Sequence, residues 1–402
     1  MFQKKSKARL PIPFWLRLYL KLSKIFKKDN VKFEIDSPRD IREGESIPME
    51  AIANVLYSKG FNIDGLAIKQ FPSGFSNLTY FIKTDEHELV LRRPPYGADS
   101  LKGGHDMFRE YDILKKLKTE FGKVPHVHFY SDDKSILGAP FYVMDCVKGY
   151  ILRPGTSQKN APNPNTMSEI AHSLINTLVD LHQVDLSKND LMNFGKIDGY
   201  VERQISGWTK RYYHAKTEDI PEMDFIANWL AEKQPKESSS SIIHNDFKYD
   251  NMVLDSSNQT KVIAVLDWEM ATLGDPLMDF GTTLGYWTDK NDPEELQIFQ
   301  LSPTTLDGNP SRAELVDMYE KKSGIQIDNP VFYYVYGLFK IAIIAQQIYF
   351  RYHKGYTKDK RFSMLNLAVK SLAIMANQAI VKDRVSDLFE YNYFCLFFYY
   401  IN

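Results

Sequence analysis

Residues 244–251 read His244-Asn245-Asp246-Phe247-Lys248-Tyr249-Asp250-Asn251. Met252-Val253-Leu254, a polar turn at 255–260, a second apolar run at 262–266 and then Asp267-Trp268-Glu269 follow. Two apolar runs around a polar turn predict a β-hairpin, and folding it back brings Asn251 and Asp267 together at its open end. An amide oxygen and a carboxylate are hard ligands suited to Mg²⁺, which takes most of its shell from water and phosphate oxygens. Asp246, on the loop leading into the hairpin, can orient an attacking hydroxyl or accept its proton. Lys248 can set its ammonium on a transferred phosphoryl group. This is the logic of phosphoryl transfer, where positioning and charge neutralisation supply nearly all the catalysis. His244 suits a brace for the loop better than a base. The competing role for Asp246, Asn251 and Asp267 is local turn capping, which does not require the three to recur as a coupled set.

Upstream, 66–70, 79–83 and 88–92 predict three short strands, the first two joined by the turn formers Pro72-Ser73-Gly74-Phe75-Ser76-Asn77. Asp106 opens a helix in which Met107, Tyr111, Leu114 and Leu117 share a face, and 141–144 predicts one more strand. The stretch 154–165 reads as a loop ending at Thr166-Met167-Ser168-Glu169, a capping-box pattern that launches a helix with Ile170, Leu174, Leu178 and Leu181 on one side. The chain is therefore α+β, a strand-rich part followed by a larger helical one. The run 331–345 is apolar apart from Lys340 and shorter than the roughly 20 residues a spanning helix needs, which predicts a buried core helix.

Composition narrows the function classes. Of the 402 residues, 44% are apolar and 25% charged, the balance of a soluble globular protein rather than a fibrous, disordered or polytopic membrane one. Lys plus Arg is 50 against 51 Asp plus Glu, so no global field favours nucleic acid as a partner and any anion site must be local. Two cysteines, Cys146 and Cys395, make neither a disulfide scaffold nor a Cys-rich zinc site and suit an intracellular chain, mitochondrial or cytoplasmic. His126 and His128, two apart, fit the flank of a strand better than a zinc site. Residues 1–28 carry nine Lys or Arg and no acid around Phe14, Trp15, Leu18, Leu22, Ile25 and Phe26. That basic amphipathic pattern fits peripheral membrane contact or a mitochondrial presequence, and equally a basic helix packed on its own domain. The aromatic run at 389–402 has no helical or strand period and reads as a contact surface or an end outside the fold.

The pattern H-x-D-x-x-x-x-N, a hairpin, then D-W-E resembles the catalytic segment of the aminoglycoside phosphotransferase family, small-molecule relatives of protein kinases. Arg109-Glu110-Tyr111 with Ile113-Leu114 is similar to that family's N-lobe helix, and 141–149 to its last N-lobe strand and hinge. Gly207-Trp208-Thr209-Lys210-Arg211-Tyr212 and Gly274-Asp275-Pro276-Leu277-Met278-Asp279 resemble the branch found as the N-terminal kinase domain of acyl-CoA dehydrogenase fusion proteins. The resemblance runs from about residue 47 to about 380. It implies a protein-kinase-like two-lobed fold, with a small antiparallel-sheet N-lobe at 47–143, a hinge at 144–150 and a larger, mainly helical C-lobe at 151–380. An extension at 1–46 and an atypical tail at 381–402 flank it. It implies ATP and Mg²⁺ as cofactors and a hydroxyl on a small organic acceptor as substrate, with a hydroxy fatty acid or hydroxyacyl-CoA suggested by the branch.

Carried over residue by residue, the resemblance makes Asp246 the catalytic base and Asn251 and Asp267 the Mg²⁺ ligands. Met144 to Cys146 become the hinge that meets adenine, Ser76 and Asn77 phosphate contacts, and Glu110 the partner of a phosphate-gripping base. Two departures stand out. Arg92-Arg93 replaces the lysine of protein kinases, and strand alternation lets only one face the cleft; we assign Arg92, which can grip phosphate bidentately. The loop at 73–77 has a single glycine, Gly74. Asp275 before Pro276 reads as a helix cap, Glu110 has a solvated-surface alternative, and Trp208, Arg211, Tyr286 and Trp287 line either an acceptor pocket or the core, the core being the commoner place for aromatics at these spacings. Two other functions fit the same sequence: a nucleotide-binding pseudokinase tethered to membranes through 1–28, and a kinase for an amino alcohol or aminoglycoside, which a dense cluster of acids around the pocket would favour.

Overall fold

A computed structural model describes residues 33, 35–71, 77–95, 106–237, 239–297, 300–357 and 359–389; Ser76, the basic segment 1–28 and residues 390–402 lie outside them. Strands β1 (Ala67–Gln70), β2 (Leu78–Lys83), β3 (Glu88–Arg93), β4 (Val127–Ser131) and β5 (Phe141–Asp145) form one antiparallel sheet in the order β1-β2-β3-β5-β4. Its period of two divides the first lobe. Leu89, Leu91 and Val143 face outward against Ile52 and Leu56 of helix α1 (Met49–Ser58). Val90, Tyr142 and Met144 face inward and join the core that continues into the second lobe. Arg92, paired with Tyr142 across the ladder, shares that inner face. Arg93 takes the other and donates to the carbonyls of Pro94 and Leu137. Strand β4 is absent from the sequence reading because VHFYS mixes His and Ser into an edge strand whose alternation is weak.

Helix α2 (Met107–Glu120) starts where Asp106 accepts the Arg109 N–H. In the second lobe α3 (Pro164–His182) begins two residues before the pattern at 166–169. Asn163 accepts the Thr166 N–H and Pro164 has no amide to leave unpaired, so they out-compete the capping box. Two ribbons follow: β6 (Ser241–Ile243) pairs with β9 (Thr272–Gly274), and β7 (Met252–Leu254) with β8 (Val262–Val265). Around them pack α4 (Tyr200–Ala215), α5 (Pro221–Glu232), α6 (Pro276–Gly285), α7 (Arg312–Ser323), α8 (Pro330–His353) and α9 (Leu365–Lys382). The result is a two-lobed kinase-like α+β fold. The segment 35–45 spans both lobes: Ile35 bridges Tyr150, Asp36 pairs with Arg153, and Arg39 bridges Gln70 of β1. From 381 onward, Val385 and Leu388 are buried in the main core.

Helix α8 is long and apolar enough to cross a membrane by composition, but 83% of its apolar stretch is buried within the protein. A mixed stretch with Gln346, Gln347, Arg351 and His353 extends it well past the apolar run. It crosses α6 almost backbone to backbone. A Cβ on Gly337 would lie 2.0 Å from the Gly281 carbonyl oxygen, and one on Gly281 would lie 2.3 Å from that of Tyr333. Neither obstacle is a side-chain tip that could swing away. Gly337→Ala is therefore expected to destabilise the protein by about 1–3 kcal/mol through overpacking, read as a lower midpoint in chemical denaturation. A midpoint equal to wild type would show that the two helices are not locked. The crossing matters because α6 carries Asp279, on which the site below rests.

Candidate active site

The hairpin β7–β8 closes through a hydrogen bond of 2.8 Å from the Leu266 N–H to the Asn251 carbonyl, which sets Asn251 beside Asp267. Asp267 adopts a left-handed backbone, φ 67°, as does Asn245, φ 66°, one residue before Asp246. Asn and Asp tolerate that region best among residues with a side chain, and such strain gathers at functional sites.

Asp246 is surrounded by donors. Its Oδ1 accepts from the Tyr286 hydroxyl at 2.5 Å, and its Oδ2 from Lys248 Nζ at 2.5 Å and Asn251 Nδ2 at 3.0 Å. Burial alone would push the Asp246 carboxyl up, but Lys248, then Tyr286 and His244, hold it below the ordinary aspartate value. Such a carboxylate is ionised and a weak base in the resting site, suited to orienting a hydroxyl and taking its proton late in the transfer. His244 braces the loop. The Asp246 N–H can only donate and the Leu266 carbonyl can only accept, so Nδ1 takes the first at 3.2 Å and Nε2 carries the proton given to the second at 2.9 Å. Burial lowers the His244 pKa, in keeping with that neutral ring.

Arg92 reaches down from the sheet. It pairs with Glu110 of α2 at 2.5 Å and with Asp267 at 3.0 Å, and lies 4.0 Å from Glu269. Burial opposes its charge, but Glu110 first, and Asp267 and Glu269 further out, hold its pKa well above the ordinary arginine value. Glu110 is 1% exposed, which removes the solvated-surface alternative. A second bond between the lobes runs from Asn77 Nδ2 to Glu269 Oε2 at 2.9 Å. The hinge residues lie at the end of β5. Met144 is buried in the inner face, and the Cys146 N–H is donated to the Glu88 carbonyl at 3.0 Å, so that amide is not free for a base. Burial pushes the Cys146 thiol up to about 11, which makes it part of an apolar wall and not a nucleophile.

The Asn251 and Asp267 oxygens suit one divalent cation. Asn251 spends its Nδ2 on Asp246, leaving Oδ1 as its ligating atom, and Asp267 remains partly open to solvent. Among the described residues no group of three or more His, Cys, Asp or Glu side chains is placed to hold a metal. Two oxygen ligands therefore fit Mg²⁺, which relies on phosphate and water for the rest, and not zinc.

Three residues outside the predicted set complete the site. Tyr286 sits on Asp246 itself. Asp279, 0% exposed, accepts the backbone N–H groups of His244 and Asn245, each at 2.7 Å, and meets His182 Nε2 at 3.1 Å. Asp275 is the cap its position suggests, accepting the Leu277 N–H. Lys340, buried in α8, donates to the Asn245 carbonyl at 2.8 Å and to its Oδ1 at 2.9 Å. In the sequence Lys340 shows only as the one charge in an apolar run. Tyr286 shows only as an aromatic that lines either a pocket or the core, and Asp279 only as the last residue of the 274–279 stretch that carries the family resemblance.

This arrangement of a sheet-borne cation, a donor-laden aspartate and a hairpin that sets Asn251 beside Asp267 is that of a kinase-like phosphotransferase. The sequence profile of the phosphotransferase enzyme family matches residues 67–315, and the chain belongs to that family. It is 33% identical over 359 residues to mouse acyl-CoA dehydrogenase family member 10, covering 87% of this chain and 33% of the relative. It is 35% identical over 340 residues to the human family member 11, covering 82% and 42%. The chain thus spans between a third and a half of the length of these curated relatives. A solved structure, a putative aminoglycoside phosphotransferase from Ralstonia eutropha, is 29% identical with a TM-score of 0.70, over 84% of this chain and 99% of that one.

Proposed function

We propose that the chain moves the γ-phosphoryl group of ATP, with Mg²⁺, to a hydroxyl of a small anionic acceptor, a hydroxyacyl-CoA or hydroxy fatty acid. The observation that carries this reading is the charge around Asp246. Lys248 touches it, with the acids Asp250 and Asp267 also acting on that lysine, and Lys248 and Arg211 both act electrostatically on buried Lys340 beside the loop. Arg211 is exposed and stacks 4.4 Å over the Trp208 ring, and Lys248 lies 4.7 Å over that of Tyr286. Cations over aromatic faces suit a carboxylate or phosphate-bearing acceptor and disfavour an amino alcohol or aminoglycoside. The relatives that are acyl-CoA dehydrogenase family members point toward the same acyl-CoA chemistry.

In this reading Arg92 grips phosphate, Glu110 holds Arg92 in place, and Asn251 and Asp267 hold Mg²⁺. The cation, when bound, neutralises charge on the phosphates. Asp246 orients the acceptor hydroxyl and receives its proton, and Lys248 steadies charge on the transferred group.

The test incubates the protein with ATP, Mg²⁺ and a panel of 2-, 3- and 4-hydroxyacyl-CoA thioesters, free hydroxy acids, choline and an aminoglycoside. Transfer to thioesters or hydroxy acids is expected. Arg211→Glu is expected to raise the acceptor KM roughly fivefold, about 1 kcal/mol for one exposed charge, and to leave the KM for ATP unchanged. Preference for choline or the aminoglycoside would overturn the anionic assignment. ATP binding without transfer to any acceptor would favour a pseudokinase.

A further inference from the structure

Lys340 is a charged side chain enclosed in the protein, 1% exposed, on a helix that otherwise presents apolar residues. An unpaired ammonium in such a place is costly, and burial pulls its pKa down to about 8. Its hydrogen bonds go to Asn245: the backbone carbonyl at 2.8 Å and Oδ1 at 2.9 Å, with Thr282 Oγ1 of α6 at the limit, 3.5 Å. The charged groups that act on it come from each neighbouring element: Asp279 from α6, Asp246 and Lys248 from the loop, and Arg211 from α4. The Trp208 ring lies 5.9 Å from Nζ.

Asn245 immediately precedes Asp246 and has a left-handed backbone. Its N–H is held by Asp279 Oδ1 at 2.7 Å and its carbonyl by Lys340. Its side-chain Nδ2 is tied to the Met270 carbonyl at 3.1 Å. Every polar group of the residue is thus held, the backbone between Asp279 of α6 and Lys340 of α8, and the side chain by Lys340, the Met270 carbonyl and, at 3.3–3.4 Å, the Tyr200 hydroxyl of α4. The 245–246 peptide, whose plane aims the Asp246 side chain, is held at both of its polar atoms: Lys340 holds its oxygen at 2.8 Å, and His244 Nδ1 takes the Asp246 N–H at the longer 3.2 Å.

We propose that Lys340 is a positioning residue for phosphoryl transfer: it locks the left-handed turn at Asn245 and so aims Asp246. The assignment rests on the reading of Asp246 given above. It accounts for a buried cation that no step of the chemistry uses and that an apolar residue could replace in packing terms alone. A purely structural lysine would support folding and leave the aim of the loop alone.

The experiment compares wild type with Lys340→Met, and with Lys340→Gln, which keeps a donor, should the first fail to fold. Misaiming a reacting group by about 1 Å costs up to about a hundredfold, so kcat is expected to fall about 10- to 100-fold. The KM for ATP should stay within twofold, because the Lys340 bonds end on Asn245 and Thr282 and reach neither Arg92 nor the proposed Mg²⁺ ligands Asn251 and Asp267. Backbone amide exchange at 244–251 should quicken while that of α3 stays as in wild type. Folded variants with wild-type kcat, or with exchange quickened evenly throughout the protein, would overturn the assignment. The exchange measurement decides it even if wild type transferred phosphate to no acceptor, an outcome that would sink the phosphotransfer reading by itself.

Discussion

Asp246→Asn is expected to lower kcat by about 10³-fold, within the range that a positioned proton acceptor contributes, while the affinity for MgATP stays within about twofold. The change is nearly isosteric, so the loss isolates chemistry from packing. The present carboxylate takes three donors, from Tyr286, Lys248 and Asn251. A carboxamide turns an N–H₂ toward at least one of them, a donor against a donor, and has no negative charge to draw the acceptor hydroxyl or hold its proton. The phosphate grip assigned to Arg92 and Glu110 lies on the sheet and on α2 and is untouched, and Asn251 keeps its Nδ2 bond to the backbone carbonyl of residue 246. Single-turnover transfer and MgATP binding, measured side by side, check this. Turnover equal to wild type would remove Asp246 from the mechanism, whatever the acceptor.

The parts of this site that could be read from the sequence are those fixed by short-range geometry. The hairpin at 252–265 is local, so Asn251 and Asp267 fall side by side as soon as its two strands pair. Alternation along β3 is local too, which is why Arg92 and Arg93 can be assigned to opposite faces before any coordinates. The Arg92 to Glu110 pair needed more: a family resemblance supplied the partner, since nothing in 106–120 alone says that its acid is buried. What could not be read depends on long-range packing. Tyr286 and Lys340 arrive at Asp246 from 40 and 94 positions along the chain, brought there by the glycine-mediated crossing of α6 and α8. Tyr286 carries no cue of its own beyond being an aromatic, and aromatics are more often core. Lys340 does have one, a charge inside an apolar run, and a buried charge requires a partner. Its partner, a backbone carbonyl, has no sequence signature.

Asp279→Ala is expected to cost on the order of 3–5 kcal/mol of stability, the scale for removing one member of a buried charged network, and to reduce transfer along with it. Two backbone N–H groups, those of His244 and Asn245, end on its oxygens, and both are buried. Without the carboxylate they have no acceptor in an interior closed to water, and the turn that precedes Asp246 loses half of its clamp. The acid dependence of stability follows from the same contacts. Burial would push the Asp279 carboxyl up, but the hydrogen bond with His182 and the backbone N–H of His244 hold it below the ordinary aspartate value. A depressed folded pKa means that the unfolded chain takes up the proton first as pH falls. The stability Asp279 supplies is therefore complete above the ordinary aspartate pKa near 4 and is lost as pH drops through the lower folded value. The gap in denaturation midpoint between wild type and Asp279→Ala should hold from pH 7 down to about 4 and narrow below that, as protonation takes from the wild type the charge its N–H donors face. A gap that stays constant below that pH as well would mean that Asp279 acts by shape and not by charge.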